Sequence, residues 1–132
     1  DQLEGPMTFT PKQVHFHMGN GTEEFPGKGS EHYIDGSPHS LEMHIVSLNK
    51  DEGTQELFKA GVIGFLFEVD PDAKVNSFAD DFFENLMDHD IKDKMDMETA
   101  FIKHIDFNNR YMYRGSLTTP PYAELLFWTV IP

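Results

Sequence analysis

Polar and apolar side chains alternate strictly from Gln13 to Met18: Gln13, His15 and His17 fall on one side of an extended chain, and Val14, Phe16 and Met18 on the other. The alternation returns at 41–46, where Glu42, His44 and Val46 share one side and are backed by Leu41, Met43 and Ile45. Period-2 patterning predicts strands over roughly 12–18 and 40–48. Residues 1–10 form an approach loop or short edge strand, and 19–30, rich in glycine with one proline, form a long loop. Residues 31–35 give a short extended piece, Gly36-Ser37-Pro38 a turn, and 49–58 a surface connection. The nearly continuous apolar run 61–69 predicts a strand covered on both faces. Phe78, Phe82, Phe83, Leu86 and Met87 recur at helical spacing, which predicts an amphipathic helix over 76–88, capped by Asn76 or Ser77, with the aromatic stripe as core. Residues 90–100 give a loop or short helix, 111–113 an extended piece, and 115–121 a constrained loop. A final strand over 122–131 places Glu124, Leu126, Trp128 and Val130 on one face.

Length and charge narrow the possibilities. A chain of 132 residues is one domain at most. A formal net charge of −13 disfavours nucleic acid and anionic membranes as partners, and no apolar run reaches the length of a membrane span. Cysteine is absent, so disulfides and thiolate ligands are excluded and the histidines are the soft metal ligands. No signal sequence is visible, yet the chain begins at Asp1, as a processed or partial chain does; a secreted or organellar-lumen setting is the expectation.

Side by side, the two alternating strands would gather three imidazoles with an amide and a carboxylate beside them. Three neutral imidazoles suit zinc and leave a fourth tetrahedral position open for water, the pattern of a catalytic rather than a structural site. His15-x-His17 alone is more simply two hydrogen-bonded or exposed histidines; Glu42-x-His44 and the Ser-Leu-Thr-Thr-Pro-Pro loop reverse that balance. Taken singly, Glu31 is a surface acid, Thr118 and Thr119 belong to a rigid turn, and Val62, Leu126 and Trp128 are core. His39, His89 and His104 receive no role, and the acidic runs at 50–52, 79–84 and 88–97 are solvated faces.

Four pieces taken together, Gln13-Val14-His15-Phe16-His17, Gly29-Ser30-Glu31-His32, Leu41-Glu42-Met43-His44-Ile45-Val46 and Gly115-Ser116-Leu117-Thr118-Thr119-Pro120-Pro121, resemble the α-class carbonic anhydrases in order and approximate spacing. The resemblance implies a mainly β fold: a central, mostly antiparallel twisted sheet with peripheral helices, present here in part as one incomplete domain over 1–132. The family's N-terminal part, with its proton-shuttling histidine, and its C-terminal wrap have no counterpart in the chain. The chain is then a fragment, or a further segment or partner completes it. The implied activity is reversible hydration of carbon dioxide to bicarbonate and a proton, by attack of zinc-bound hydroxide on CO₂. The implied ligands of Zn²⁺ are His15, His17 and His44. Gln13 supports His15, and Glu42 supports His44 within a network that includes His32 and Tyr113. Thr118, bonded to Glu31, orients the hydroxide, its backbone N–H positions substrate, and Thr119 lines the polar side. Val46, Val62, Leu117, Leu126 and Trp128 form the apolar pocket, and sulfonamides or anions are the expected inhibitors. The competing reading is a catalytically silent module of the same fold inside a larger assembly. A different three-histidine hydrolase lacks its His-Glu-x-x-His helix.

Overall fold

The computed structural model describes residues 7–51, 53, 54, 56–75, 77–88 and 95–132. The expectations for 1–6, for Asn76 as a cap, and for His89 and 90–94 lie outside these residues. Two compact units are present, one of Asp1–Val69 with Asn109–Pro132, the other of Asp70–Asn108.

The first unit is a sheet. Its strands are β1 (Phe9–Met18), β4 (Leu41–Asn49), β5 (Ala60–Phe67), β6 (Tyr111–Gly115) and β7 (Leu126–Ile131), in the order β1-β4-β5-β7-β6. All neighbours are antiparallel except β5 and β7, so the mainly β, mostly antiparallel architecture stands as expected. A separate hairpin joins β2 (Tyr33–Ile34) to β3 (Ser37–Pro38). Its two turn residues, Asp35 and Gly36, take positive φ values of 50° and 80°, the backbone that matches a two-residue turn to strand twist. Lys28 pairs with Glu68, tying the glycine-rich loop to the chain just after β5.

Register converts sequence alternation into rows across one face. Val46 stands beside Gln13 on one side and Val62 on the other, with Trp128 and then Tyr113 continuing the row. In the next row His15, His44, Gly64, Val130 and Tyr111 follow one another, and beyond it His17, Glu42 and Leu66. Ala60, Val62, Leu126, Trp128 and Val130 form a buried cluster, against which Val46, Leu66 and Leu117 pack. Removing such side chains from water stabilises by about 1.5–3 kcal/mol each. The opposite face buries Met43, Ile45 and Phe65, so β4 and β5 are covered on both sides, as a continuous apolar run predicts for β5.

Gly64 is where a side chain cannot be accommodated. A Cβ there would lie 2.8 Å from Oε1 of Glu42 and 3.5 Å from Cδ2 of His44. Glycine in this row lets the two neighbouring side chains lean across β5. Gly64→Ala is expected to cost about 1–3 kcal/mol through overpacking, read as a lower urea midpoint, and to loosen the Glu42–His44 contact described below.

Two boundaries differ from the expected ones. The last strand begins at Leu126 rather than Tyr122, because Tyr122 and Leu125 sit in the left-handed region at φ 55° and 67°; extended pairing cannot run through them. Glu124 is accordingly exposed and joins no row. The first strand starts earlier, at Phe9, with a register shift between Pro11 and Gln13, where a proline without an N–H interrupts the ladder.

In the second unit, α1 (Phe78–Met87) starts at Ser77, whose hydroxyl accepts from the Asp80 N–H while the Asp80 carboxylate accepts from the Ser77 N–H. Phe82 and Phe101 are buried with ring centroids 4.9 Å apart, and Phe78 stacks on His104. Phe101 lies between α2 (Met97–Ala100) and a 3₁₀ turn at Ile102–His104. The apolar stripe is narrower than its sequence spacing implies: Leu86 and Met87 are 42% and 67% exposed.

Candidate metal centre

His15 lies directly opposite His44 across the β1–β4 ladder, and His17 opposite Glu42. Strand alternation aims all of these side chains to one face. Nε2 of His15 is 3.2 Å from Nδ1 of His44, and Nε2 of His17 is 3.1 Å from the same atom. Nitrogens sharing one tetrahedral zinc at 2.0–2.1 Å stand about 3.3–3.4 Å apart. The spacing of these rings is therefore that of a ligand set, and the all-nitrogen donors suit zinc. Burial and the neighbouring imidazoles push the pKa of His15 down, partly opposed by Glu31. For His17, burial is again the main cause of a lowered pKa, against the raising effect of Glu31. Both shifts favour the neutral ring, the form whose lone pair a cation can take.

The third ring is fixed by Glu42, which is fully buried. Its Oε1 accepts from Nε2–H of His44 at 2.6 Å and from Nδ1–H of His32 at 2.5 Å. Its Oε2 accepts from the backbone N–H groups of Glu31 and His32 at 2.9 and 2.8 Å. Burial alone would raise the pKa of this carboxyl, but hydrogen bonds from His32 and His44 outweigh it and hold Glu42 well below the ordinary carboxylate value. The ionised acceptor takes the Nε2–H of His44 and fixes the ring with Nδ1 facing His15 and His17.

Behind Glu42, Tyr113 O–H donates to Nε2 of His32 at 2.7 Å. Burial and the charges of Glu42 and Glu31 push the Tyr113 phenol up to about 12, so it remains a donor. The Tyr113 ring stacks on Trp128 at a 5° interplanar angle, and Trp128 meets both His32 and His44 edge-on, at 5.1 and 4.9 Å. Trp128 Nε1–H donates to the carbonyl of Ser116, pinning the start of the 116–121 loop. Val46, Val62, Leu117, Leu126 and Trp128 come together as an apolar patch beside the imidazoles.

Two expected contacts are absent. Gln13 is exposed and does not reach His15, whose buried Nδ1 has no hydrogen-bond partner, although Gln13 and His15 share one register against β4. Thr118 and Thr119 are exposed, and no Thr118–Glu31 hydrogen bond forms among the described residues. The 116–121 loop closes on itself instead, through Leu117 N–H to Ala123 and Tyr122 N–H to Thr119. Glu31 turns its Oε2 toward Nε2 of His17, at 3.3 Å. Sequence reasoning also missed Ser30 and Gly64. The Ser30 hydroxyl accepts from His39 N–H and donates to the His32 carbonyl, holding the turn that aims two backbone N–H groups at Glu42. The only sequence signal for it was its place in Gly29-Ser30-Glu31-His32.

Residues 2–132 match the family described as eukaryotic-type carbonic anhydrase. Carbonic anhydrase 6 of Mus musculus is 34% identical over 132 residues, which cover 93% of this chain and 41% of that protein. Alpha carbonic anhydrase 3 of Arabidopsis thaliana is 38% identical over 111 residues, 77% of this chain and 35% of that one. The chain therefore spans well under half the length of these relatives. Among solved structures, a halotolerant carbonic anhydrase from Dunaliella salina superposes with a TM-score of 0.65 at 25% identity, over 96% of this chain and 46% of that one. The α-carbonic anhydrase from Thermovibrio ammonificans, in complex with the inhibitor sulfanilamide, gives 0.61 at 29% identity, over 93% and 47%. No helix among the described residues is long and apolar enough to cross a membrane.

Proposed function

We propose, for a chain that belongs to the eukaryotic-type carbonic anhydrase family, that its sheet face is the zinc site of an enzyme interconverting carbon dioxide and bicarbonate. The observation that carries this reading is the convergence of three imidazole nitrogens, one of the rings held in place by Glu42. His15, His17 and His44 would hold the metal; when bound, zinc acts as a Lewis acid that lowers the pKa of water to about 7.

The chain's own residues supply the rest. Glu42 accepts the His44 proton and supports its donor nitrogen. Val46 and Leu117, partly buried against the Val62, Leu126 and Trp128 core, would form an apolar wall suited to an apolar gas and poor for water. Glu31, at the His17 edge, and Thr118 are proposed as the pair that orients the reacting water, the Thr118 hydroxyl donating to the carboxylate and accepting from the water. That role requires the 116–121 loop to shift toward Glu31. Sulfonamides and small anions are the inhibitors this reading implies, and the chain is part of a single domain of that family.

Stopped-flow CO₂ hydration by the zinc-loaded chain, with sulfanilamide as the control, tests the proposal. Sulfanilamide-sensitive turnover is expected. Bound zinc with hydration no faster than buffer would overturn the reading in favour of a silent module. Thr118→Ala is expected to retain zinc while lowering kcat/KM roughly 10²-fold, the scale of a lost proton-handling group; full turnover would remove Thr118 from the mechanism.

A further inference from the structure

The glycine-rich loop that follows β1 is a small closed structure of its own. Gly21 and Pro26 face each other in an antiparallel bridge, the Asn20 carbonyl accepts from Gly27 N–H at 2.7 Å, and Thr22 N–H donates to the Phe25 carbonyl at 3.1 Å. The Thr22 hydroxyl accepts from Phe25 N–H and closes the tip. Gly21 takes a φ of 75°, and a Cβ there would run into the Phe25 carbonyl, so glycine alone fits. Loop closure thus accounts for Gly21 and Thr22, but not for the side chain of Asn20. That residue is exposed, and its amide makes no hydrogen bond among the described residues. Across the loop, nothing lies within 4 Å of where a Cβ on Gly27 would stand, so that side is open as well.

Asn20-Gly21-Thr22 is also the one Asn-x-Ser/Thr triplet in the sequence, with a residue other than proline at its centre. This is the pattern an N-glycosylating enzyme reads. We propose that Asn20 is a site of N-linked glycosylation. In the transfer, the Asn20 amide nitrogen forms a bond to the anomeric carbon of an oligosaccharide carried on a polyprenyl diphosphate. The bond from that carbon to the diphosphate oxygen breaks, the diphosphate leaves with the electron pair, and the amide proton passes to a base of the transferring enzyme. That enzyme meets the chain before it folds, while the Thr22 hydroxyl is free to be recognised; on folding, the same hydroxyl turns to Phe25 N–H. The folded protein then carries a bulky hydrophilic substituent, which an exposed amide without a partner accommodates at no loss of contacts. In eukaryotic cells the donor and its transferase face the lumen of the secretory route, so occupancy of Asn20 means that the chain passes through it. A rival chemistry acts on the same amide: attack of the Gly21 backbone nitrogen on the Asn20 side-chain carbonyl expels ammonia and, after hydrolysis, leaves an aspartate with no sugar.

The full chain isolated from the cells that make it is expected to lose mass in one step under peptide N-glycosidase. In heavy-oxygen water the treated Asn20 should appear as aspartate bearing the heavy label. Asn20 found unmodified before treatment, or already converted to unlabelled aspartate, overturns the proposal. The full chain translated behind a cleavable secretory leader, with endoplasmic-reticulum microsomes, is expected to show a single glycosidase-sensitive shift in size. Asn20→Gln and Thr22→Ala should abolish that shift, and Thr22→Ser, which retains the hydroxyl, should keep it. Because transfer precedes folding, this readout does not depend on whether a variant folds. A shift that survives Asn20→Gln, or a parent chain with no shift, overturns the proposal equally.

Discussion

Glu42→Ala is expected to destabilise the metal-free chain by about 3–5 kcal/mol, the cost of breaking a buried charged network by removing one member. Four donors meet at this carboxylate: the ring N–H groups of His32 and His44 and the backbone N–H groups of Glu31 and His32. Alanine leaves all of them without an acceptor in a place where water has little access, and each unmet buried donor costs about 1–3 kcal/mol. Urea unfolding should show a lower midpoint at unchanged slope; a midpoint within error of the parent would mean that the network contributes nothing to folding. Glu42→Gln separates charge from shape, since it keeps one acceptor oxygen. Because the folded-state pKa of Glu42 is depressed, the ionised carboxylate stabilises the fold fully above the ordinary value of 4.5 and loses that contribution as pH falls below it. The gap between parent and Glu42→Gln should therefore be widest near neutrality and narrow on acidification from about pH 4.5 downward.

His44→Ala should abolish tight zinc binding. Zinc bound by four ligands is worth about 10–16 kcal/mol, so one ligand's share of a few kcal/mol corresponds to a loss on the order of 10²–10⁴-fold in affinity. His15→Ala should lose zinc comparably, but the two differ without metal. His44 is 1% exposed, sits in the Glu42 network and meets Trp128, so its removal also destabilises the metal-free fold. His15 is half-buried and its Nδ1 has no partner, so its removal should leave the urea midpoint nearly unchanged. Equal zinc affinity in either variant and the parent would end the three-histidine assignment.

How much of this was written in the chain varies from residue to residue. Alternation at 13–18 and 41–46 already put His15, His17, His44 and Glu42 on common faces, because side-chain period alone decides facing. Ser77 was legible as a cap because capping is local chemistry. The Gln13–His15 contact depends on a side-chain conformation at an exposed position and the Thr118–Glu31 contact on how a loop of several residues closes, and neither has a periodic signature. Tyr122 and Leu125 interrupt an apolar run with left-handed backbone, a conformation that residue type gives no reason to expect. Gly64 looked like a neutral spacer in a strand; only the register opposite His44 reveals why a hydrogen is required there.

The order of pairing in the sheet has a kinetic consequence. β1, β4 and β5 are successive partners in an antiparallel meander, whereas β7 pairs in parallel with β5 only after a long excursion of the chain from Phe67 to Leu126. Contacts close in sequence form fast, and distant ones must first meet the entropy of closing the intervening loop. During refolding, the β1–β4 pair that carries His15, His17 and His44 can therefore assemble before Trp128 and its neighbours arrive to seal the apolar side.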